Sequence, residues 1–315
     1  MKDTTPTLSI IIPLFNEAEN INWHHKKITD FLVSTDLSYE IIYVNDGSSD
    51  NSLELIKHLT ETHGNTRFIS FSRNFGKEAA TTAGMRAAKG DAVVIIDADG
   101  QHPIELVNTF IQEWRNGHQV VIGVRENDKG EGFLKTMGSK LFYTFLRILG
   151  SNESAQSGLT DFRLIDRKVI DEFNKLTEHN RISRNLIDWL GFKRKLIPFK
   201  AEARHAGTAS YSFRKLVKLA IDGIVKHSTQ PLKLIGIVGF IVSITSLVLG
   251  IVIIVQQYLL GDPFHLAISG SALLALFLSF MVGIVLVCQG LLALYIENVY
   301  YETQNRPLYI VDEEN

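Results

Sequence analysis

Short apolar runs and amphipathic stripes alternate along the first 125 residues of the chain. Leu8–Pro13 is an apolar run closed by proline, with the length and composition of a buried parallel strand. Asn16–Glu17 opens an amphipathic helix to about Leu32. Glu40–Asn45 predicts a second strand, and the polar Asp46-Gly-Ser-Ser-Asp50 supplies a turn and a helix start for a helix through Leu59. Arg67–Phe71 predicts a third strand, Phe75–Ala88 a helix, Ala92–Asp97 a fourth strand, Pro103–Trp114 a helix and Gln119–Val124 a fifth strand. Regular alternation of strand and helix predicts an α/β fold with a mostly parallel sheet covered by helices. Ligands of such sheets bind beyond the carboxyl ends of the strands, where Pro13, Asp46, Asp97, Asp99 and Arg125 all fall.

After Arg125 the pattern changes. Glu126–Gly132 is polar and reads as a loop, and Phe133–Leu149 carries a helical stripe that suits either core packing or a membrane interface. Ser139 lies on that stripe and is a candidate acceptor contact. Ser157–Arg163 reads as a loop whose Asp161 and Arg163 could enter the site, and Leu196–Ala203 as a further strand. Phe213–Val225 repeats the stripe, with Arg214, Lys215 and Lys218 on its other side, as expected of a helix lying among lipid headgroups.

Two uncharged stretches follow. Leu234–Gly261 and Pro263–Ile296 contain no Asp, Glu, Lys or Arg, and each exceeds the roughly 20 residues that cross a bilayer. Gly261-Asp262-Pro263 joins them and is too short for a domain, so the pair predicts a helical hairpin. The expected organisation is a soluble domain at 1–211, an interfacial helix at 212–231, spans at 232–260 and 264–296, and a tail at 297–315.

Charge sharpens this picture. The whole chain is near neutral, with 32 basic and 34 acidic residues. Lys193–Lys233 nevertheless holds ten Lys or Arg against Glu202 and Asp222, a local excess of +8. Placed directly before an uncharged span, that block points to anionic headgroups rather than to nucleic acid. It also predicts a cytoplasmic flank, so that the soluble domain and the tail share that side. Met1–Thr7 is polar, and no signal peptide is expected. Cys288, the single cysteine, lies inside the second span and excludes an intrachain disulfide framework. Glycines in the spans permit close packing, within the hairpin or between copies in a homo-oligomer.

The candidate chemistry centres on Asp97-Ala-Asp99-Gly-Gln101. Two carboxylates at the end of a buried strand suit a hard divalent cation, Mg²⁺ or Mn²⁺, which fills its shell from water and substrate phosphates. A solvated strand end is the plainer alternative. Neither a Walker phosphate loop nor a G-x-G-x-x-G fingerprint occurs. His102, His205 and His227 lack zinc-site spacing.

Six segments taken in order resemble one family: Ser9-Ile-Ile-Ile-Pro-Leu-Phe-Asn-Glu17, Val44-Asn-Asp-Gly-Ser-Ser-Asp50, Arg73-Asn-Phe-Gly-Lys77, Asp97-Ala-Asp-Gly-Gln-His-Pro103, Thr160-Asp-Phe-Arg-Leu164 and Arg204-His-Ala-Gly207. The soluble part resembles the family 2 glycosyltransferases of GT-A fold that act on polyprenyl phosphates, related to dolichol-phosphate mannose synthase. The paired spans resemble the bactoprenol glucosyltransferase subgroup.

The resemblance implies that Pro13, Phe15, Glu17 and Asp46 hold the donor nucleoside. It also implies that Asp97, Asp99 and Gln101 bind the metal, that Arg125 and Arg204 meet phosphates, and that Asp161 is an aspartate proposed as a base. Ala209-Ser210 stands where many relatives carry Ser-Lys or Thr-Lys, so that lysine's phosphate contact is missing here. The implied reaction is inverting transfer of one sugar, glucose from UDP-glucose, to undecaprenyl phosphate at the cytoplasmic face of a bacterial inner membrane. N-acetylglucosamine, mannose or amino-arabinose donors, or a non-catalytic nucleotide-sugar-binding scaffold, are the alternatives. A phosphate acceptor is mostly dianionic at neutral pH, with a second pKa near roughly 6, and needs little deprotonation. Asp161 is therefore expected to orient Arg163 or the acceptor rather than to act mainly as a base.

Overall fold

The computed structural model describes residues 7–35, 37–126, 159–178, 181–202 and 270–315, with isolated positions between 241 and 255. The chain divides into two compact units. One comprises Met1–Thr136, Gln156–Ser210 and Asn305–Asn315, and the other comprises Met137–Ala155 and Tyr211–Gln304.

The first unit is built on β1 (Leu8–Leu14), every residue of which is buried. Its alternate side chains serve two cores, as the period of a strand requires. Ile10, Ile12 and Leu14 join Ile21 and Ile28 of α1 (Ala18–Val33) and Phe110 of α4 (Leu106–Arg115). Ile11 points the other way, to Ala80 and Ala83 of α3 (Lys77–Ala87). Helix and strand approach closely there, because a Cβ on Gly84 would sit 2.3 Å from Ile11 Cγ2.

Around β1 lie β2 (Tyr39–Asn45), β3 (Thr66–Phe71), β4 (Ala92–Ile95) and β5 (Val120–Arg125), with α2 (Ser52–Thr62) between β2 and β3. β6 (Leu159–Asp166), β7 (Arg194–Phe199) and β8 (Val311–Glu314) complete an eight-stranded sheet of order β7-β5-β6-β4-β1-β2-β3-β8. The sheet is mostly parallel: β1 pairs in parallel with β2 and β4, β2 with β3, and β5 with β7.

Four elements depart from the expected pattern. Thr160–Arg163 is not a loop: it lies in β6, antiparallel to both β4 and β5, where Phe162 and Leu164 are buried. A strand inserted between two others hydrogen-bonds on both edges, and this gain is invisible to local pattern. The late strand begins at Arg194 and ends at Phe199, earlier than expected, because its register follows β5. α5 (Arg167–Lys175), capped by the Asp166 side chain accepting from the Lys168 N–H, and α6 (Ser183–Trp189) are additional helices.

The carboxy-terminal end is not a free tail. β8 pairs antiparallel with β3, and the Phe68 N–H donates to Asn315 Oδ1 at 2.7 Å. Tyr309 stacks on Phe71 with ring centroids 4.8 Å apart, and Lys57 Nζ lies 2.7 Å from Glu313.

In the second unit, α7 (Gly270–Thr303) is a helix of 34 residues. Several of its side chains lie outside the described residues, and among those described no helix is long and apolar enough to cross a membrane. The first expected span, the interfacial helix at 212–231 and the stripe at 133–149 fall outside the described residues or are described only at isolated positions.

Candidate active site

The carboxyl ends of β1, β2 and β4 converge on one rim of the sheet. The loops after β1 and β2 are stitched together there. Asn16, at φ 55°, accepts at Oδ1 from the Ser49 N–H (2.8 Å), while its own N–H donates to Ser48 Oγ (2.9 Å). The Ala18 N–H donates to Asp50 Oδ2, and the Glu17 N–H to Ser52 Oγ. Pro13 is buried within β1, Glu17 is half-buried, and Phe15 is 44 % exposed and so offers a ring at the rim.

Asp46 follows β2 and is buried at 3 % exposure. Its carboxylate accepts from the Phe75 N–H (2.6 Å) and from the Gly76 N–H (2.9 and 3.1 Å to its two oxygens). Burial raises its carboxyl above the usual range, and these two N–H donors and the Arg73 charge pull the other way without cancelling the rise. The adjacent Gly47 has φ +64°, and a Cβ there would meet the Arg73 carbonyl carbon at 2.3 Å. Asp46 therefore fixes the loop that enters α3 at Lys77.

The acidic segment leaves β4 and turns at Gly100, φ +74°, which lies against Trp23. Asp99 Oδ1 accepts from the Gln101 N–H at 3.1 Å, closing a tight turn. Gln101 O in turn accepts from the Glu202 N–H, and Glu202 pairs with Lys27 at 2.7 Å. His102 is buried, stacks on Phe162 at 4.6 Å and accepts at Nδ1 from the Asp97 N–H. Burial lowers its pKa despite Asp97, so a neutral ring with its proton on Nε2 props the segment.

Pairing of β4 with β6 sets Ile95 against Arg163. Two residues further along each strand, Asp161 arrives beside Asp97. Lys77 Nζ sits between them, 2.6 Å from Asp97 Oδ1 and 2.9 Å from Asp161 Oδ2. Burial works against both charges, but Lys77 holds the Asp161 carboxyl below its usual range, with help from Arg163 and Arg184. The two carboxylates in turn raise the Lys77 ammonium above the usual lysine value. Arg163 is 1 % exposed and donates from Nη2 to Thr160 O at 2.9 Å; its Nε and Nη1 find no hydrogen-bond partner among the described residues. It lies beside a cavity also lined by Glu78, Thr81, Asp161 and Ser183. Its charge thus reaches the site through Asp161. Arg125 ends β5 with its side chain exposed.

Asp46, Asp97, Asp99, Gln101 and Asp161 are thus gathered on one rim. Ser139 and Arg204 lie outside the described residues. Lys77 belongs to a recognisable segment, Arg73–Lys77, but sequence reasoning gave it no role. Its spacing from either aspartate, 20 and 84 positions, carries no local signal. No group of three or more His, Cys, Asp or Glu that could hold a metal occurs among the described residues. The acidic segment offers two carboxylates, which suits an ion that keeps water and substrate oxygens in its shell.

A mostly parallel α/β sheet with an acidic segment at the strand ends is the architecture of a GT-A-type glycosyltransferase domain. Among solved structures, glucosyl-3-phosphoglycerate synthase from Mycobacterium tuberculosis, determined with Mn²⁺, UDP and phosphoglyceric acid, shares this fold. The TM-score is 0.51 at 19 % identity, covering 70 % of this chain and 76 % of that one. Residues 9–173 match glycosyl transferase family 2, and the chain belongs to that family. Along nearly its whole length it is similar to named relatives. The uncharacterized glycosyltransferase YkcC of Bacillus subtilis is 38 % identical over 97 % of this chain and 93 % of its own. The SfII prophage-derived bactoprenol glucosyl transferase of Shigella flexneri is 33 % identical over 96 % and 97 %.

Proposed function

We propose that this glycosyltransferase moves a single sugar from a nucleotide diphosphate donor, UDP-glucose, to the phosphate of a polyprenyl lipid at a membrane surface. The observation that carries the reading is the rim itself. Asp97, Asp99 and Gln101 are held in a fixed turn beside Asp161, on a chain that resembles a bactoprenol glucosyl transferase over 96 % of its length.

Pro13, Phe15, Glu17 and Asp46 line the donor side in this reading, with Asp46 acting by fixing the Phe75–Gly76 loop. Lys77 already places a cation against the buried Asp97 Oδ1, so the site suits positive charge. Asp97, Asp99 and Gln101 are the residues to hold Mg²⁺ or Mn²⁺. An ion held by them would supply Lewis-acid stabilisation for the leaving diphosphate. Arg125, exposed at the end of β5, brings a planar donor fork to phosphate oxygens. Asp161 stays ionised beside Lys77 and Arg163; it orients this charged cluster, while the acceptor phosphate needs little deprotonation. Arg204 and Ser139 are assigned to the acceptor by resemblance.

The membrane placement has its own support. Leu234–Gly261 and Gly270–Ile296 contain no charged residue, and the latter run of 27 residues in α7 is about 40 Å long at 1.5 Å per residue. The chain leaves the first unit near Ser210 and rejoins it at Asn305. An even number of crossings, a hairpin, returns the strand β8 to the side where β3 awaits it. With basic residues from Lys193 to Lys233, that side is the cytoplasmic face of a bacterial inner membrane.

The test uses full-length protein in detergent with radiolabelled UDP-glucose, undecaprenyl phosphate and Mn²⁺, reading the lipid product by mass. Glycolipid should form, stop in excess chelator and resume with added Mn²⁺. Full-rate synthesis in chelator overturns the metal assignment. Donor binding without any lipid product marks a scaffold instead, and product with another donor sugar reassigns the substrate.

A further inference from the structure

In the reading above, the Lys77 charge between Asp97 and Asp161 is given no step in binding. We infer that Lys77 is a built-in counter-cation that occupies the acidic site before the donor arrives, holds off a bare divalent ion, and transfers to the donor diphosphate when metal and nucleotide enter together.

Three observations carry this. First, its ammonium spans two carboxylates from different strands, 2.6 Å from Asp97 and 2.9 Å from Asp161. A cation on Asp97 competes directly with a metal for the same oxygen. Second, the position is constructed. Lys77 is the first residue of α3 and follows Gly76 at φ +100°. The preceding loop is pinned by the buried Asp46 carboxylate through the Phe75 and Gly76 N–H groups. Third, the side chain as a whole is 44 % exposed, so its flexible stem can swing from a fixed root once the ammonium gains other partners.

The charge balance then makes metal and donor depend on each other. Without a donor, displacing Lys77 from Asp97 leaves an ammonium with half its partners. A diphosphate supplies new ones, so the ion meets least resistance when nucleotide accompanies it. Lys77 is a positioning residue in this scheme, acting on Asp97 and Asp161.

The inference rests on the acidic segment being the metal site, and the experiment separates the two. Mn²⁺ binding to full-length protein in detergent is titrated by the electron paramagnetic resonance signal of free Mn²⁺, with no nucleotide present. UDP binding is measured separately, with no metal present. Lys77→Met should bind Mn²⁺ about tenfold tighter than wild type, since one repelling charge is gone, yet bind UDP several-fold more weakly. Lys77→Arg keeps the charge and should resemble wild type in both. A merely structural lysine would weaken both on removal. Unchanged or weaker Mn²⁺ binding by Lys77→Met, with Asp99→Asn weakened, overturns the inference and leaves the metal site standing. Mn²⁺ binding unaffected by Asp99→Asn overturns both. Should Lys77→Met fail to fold, Lys77→Gln carries the same comparison, with thermal melting as the check on folding.

Discussion

Replacing Tyr309 by alanine should loosen the catalytic unit measurably, although the residue stands only six positions before Asn315. Its ring stacks on Phe71 with centroids 4.8 Å apart and an interplanar angle of 14°, and the Arg86 guanidinium lies 5.9 Å from its centroid. The stack is worth about 1 kcal/mol beyond area. Burying part of an aromatic side chain adds about 1 kcal/mol more, so the truncation costs about 2 kcal/mol. For a unit of this size that lowers the melting temperature by about 4–8 °C. Trp23, Trp114 and Trp189 are the three tryptophans of the chain, and all belong to the first unit, so their emission follows that unit alone. Tyr309→Phe keeps the stack and should melt like wild type. A Tyr309→Ala melt within about 1 °C of wild type would refute the claim that the terminal segment is a structural part of the sheet. Ending the chain at Tyr309 goes further, because it removes the Ile310 carbonyl that accepts from the Ser72 N–H and all of β8. It bares the β3 edge, and aggregation should follow.

Further outcomes follow from the rim and its supports. At about pH 8 Asp161→Asn should lose under about tenfold in rate while Asp99→Asn loses far more; equal near-complete losses would show Asp161 to be a true base. Gly47→Ala should destabilise by about 3 kcal/mol or more, read in chemical unfolding, since its Cβ meets Arg73 backbone at 2.3 Å under a positive φ. Burial and the neighbouring His63 push His25 down to about 4, whereas the unfolded chain takes its proton near 6.5. Its stabilisation is therefore complete above pH 6.5 and is lost as the pH falls toward 4, on the order of 2–3 kcal/mol. His25→Gln should flatten that acid limb of a stability–pH curve, and an unchanged limb would assign it to other groups.

The strands from Leu8 to Arg125 and the helices between them were legible because each buries one face or both, and burial leaves a period in the residues themselves. The acidic segment was legible for a related reason: two carboxylates beside an apolar strand stand out against their surroundings. The two uncharged stretches declare their length to any reader of the chain. Nothing local announced β6 or β8. Thr160–Leu164 mixes polar and apolar residues like a loop, and it is a strand because β4 and β5 present it with two unfilled edges. Val311–Glu314 is acidic and exposed on every residue, with no apolar face to advertise. β3 makes it a strand, 240 positions earlier in the chain.

The residues alone thus determined the sheet's parallel half, the metal-suited segment and the membrane-length runs, since those depend on composition within a short window. Only the tertiary structure decided that Asp161 stands beside Asp97, that Lys77 bridges them, and that Asp46 holds the loop on which Lys77 is mounted. Each of those is a meeting of distant segments, fixed by strand register and by where a buried carboxylate finds its donors.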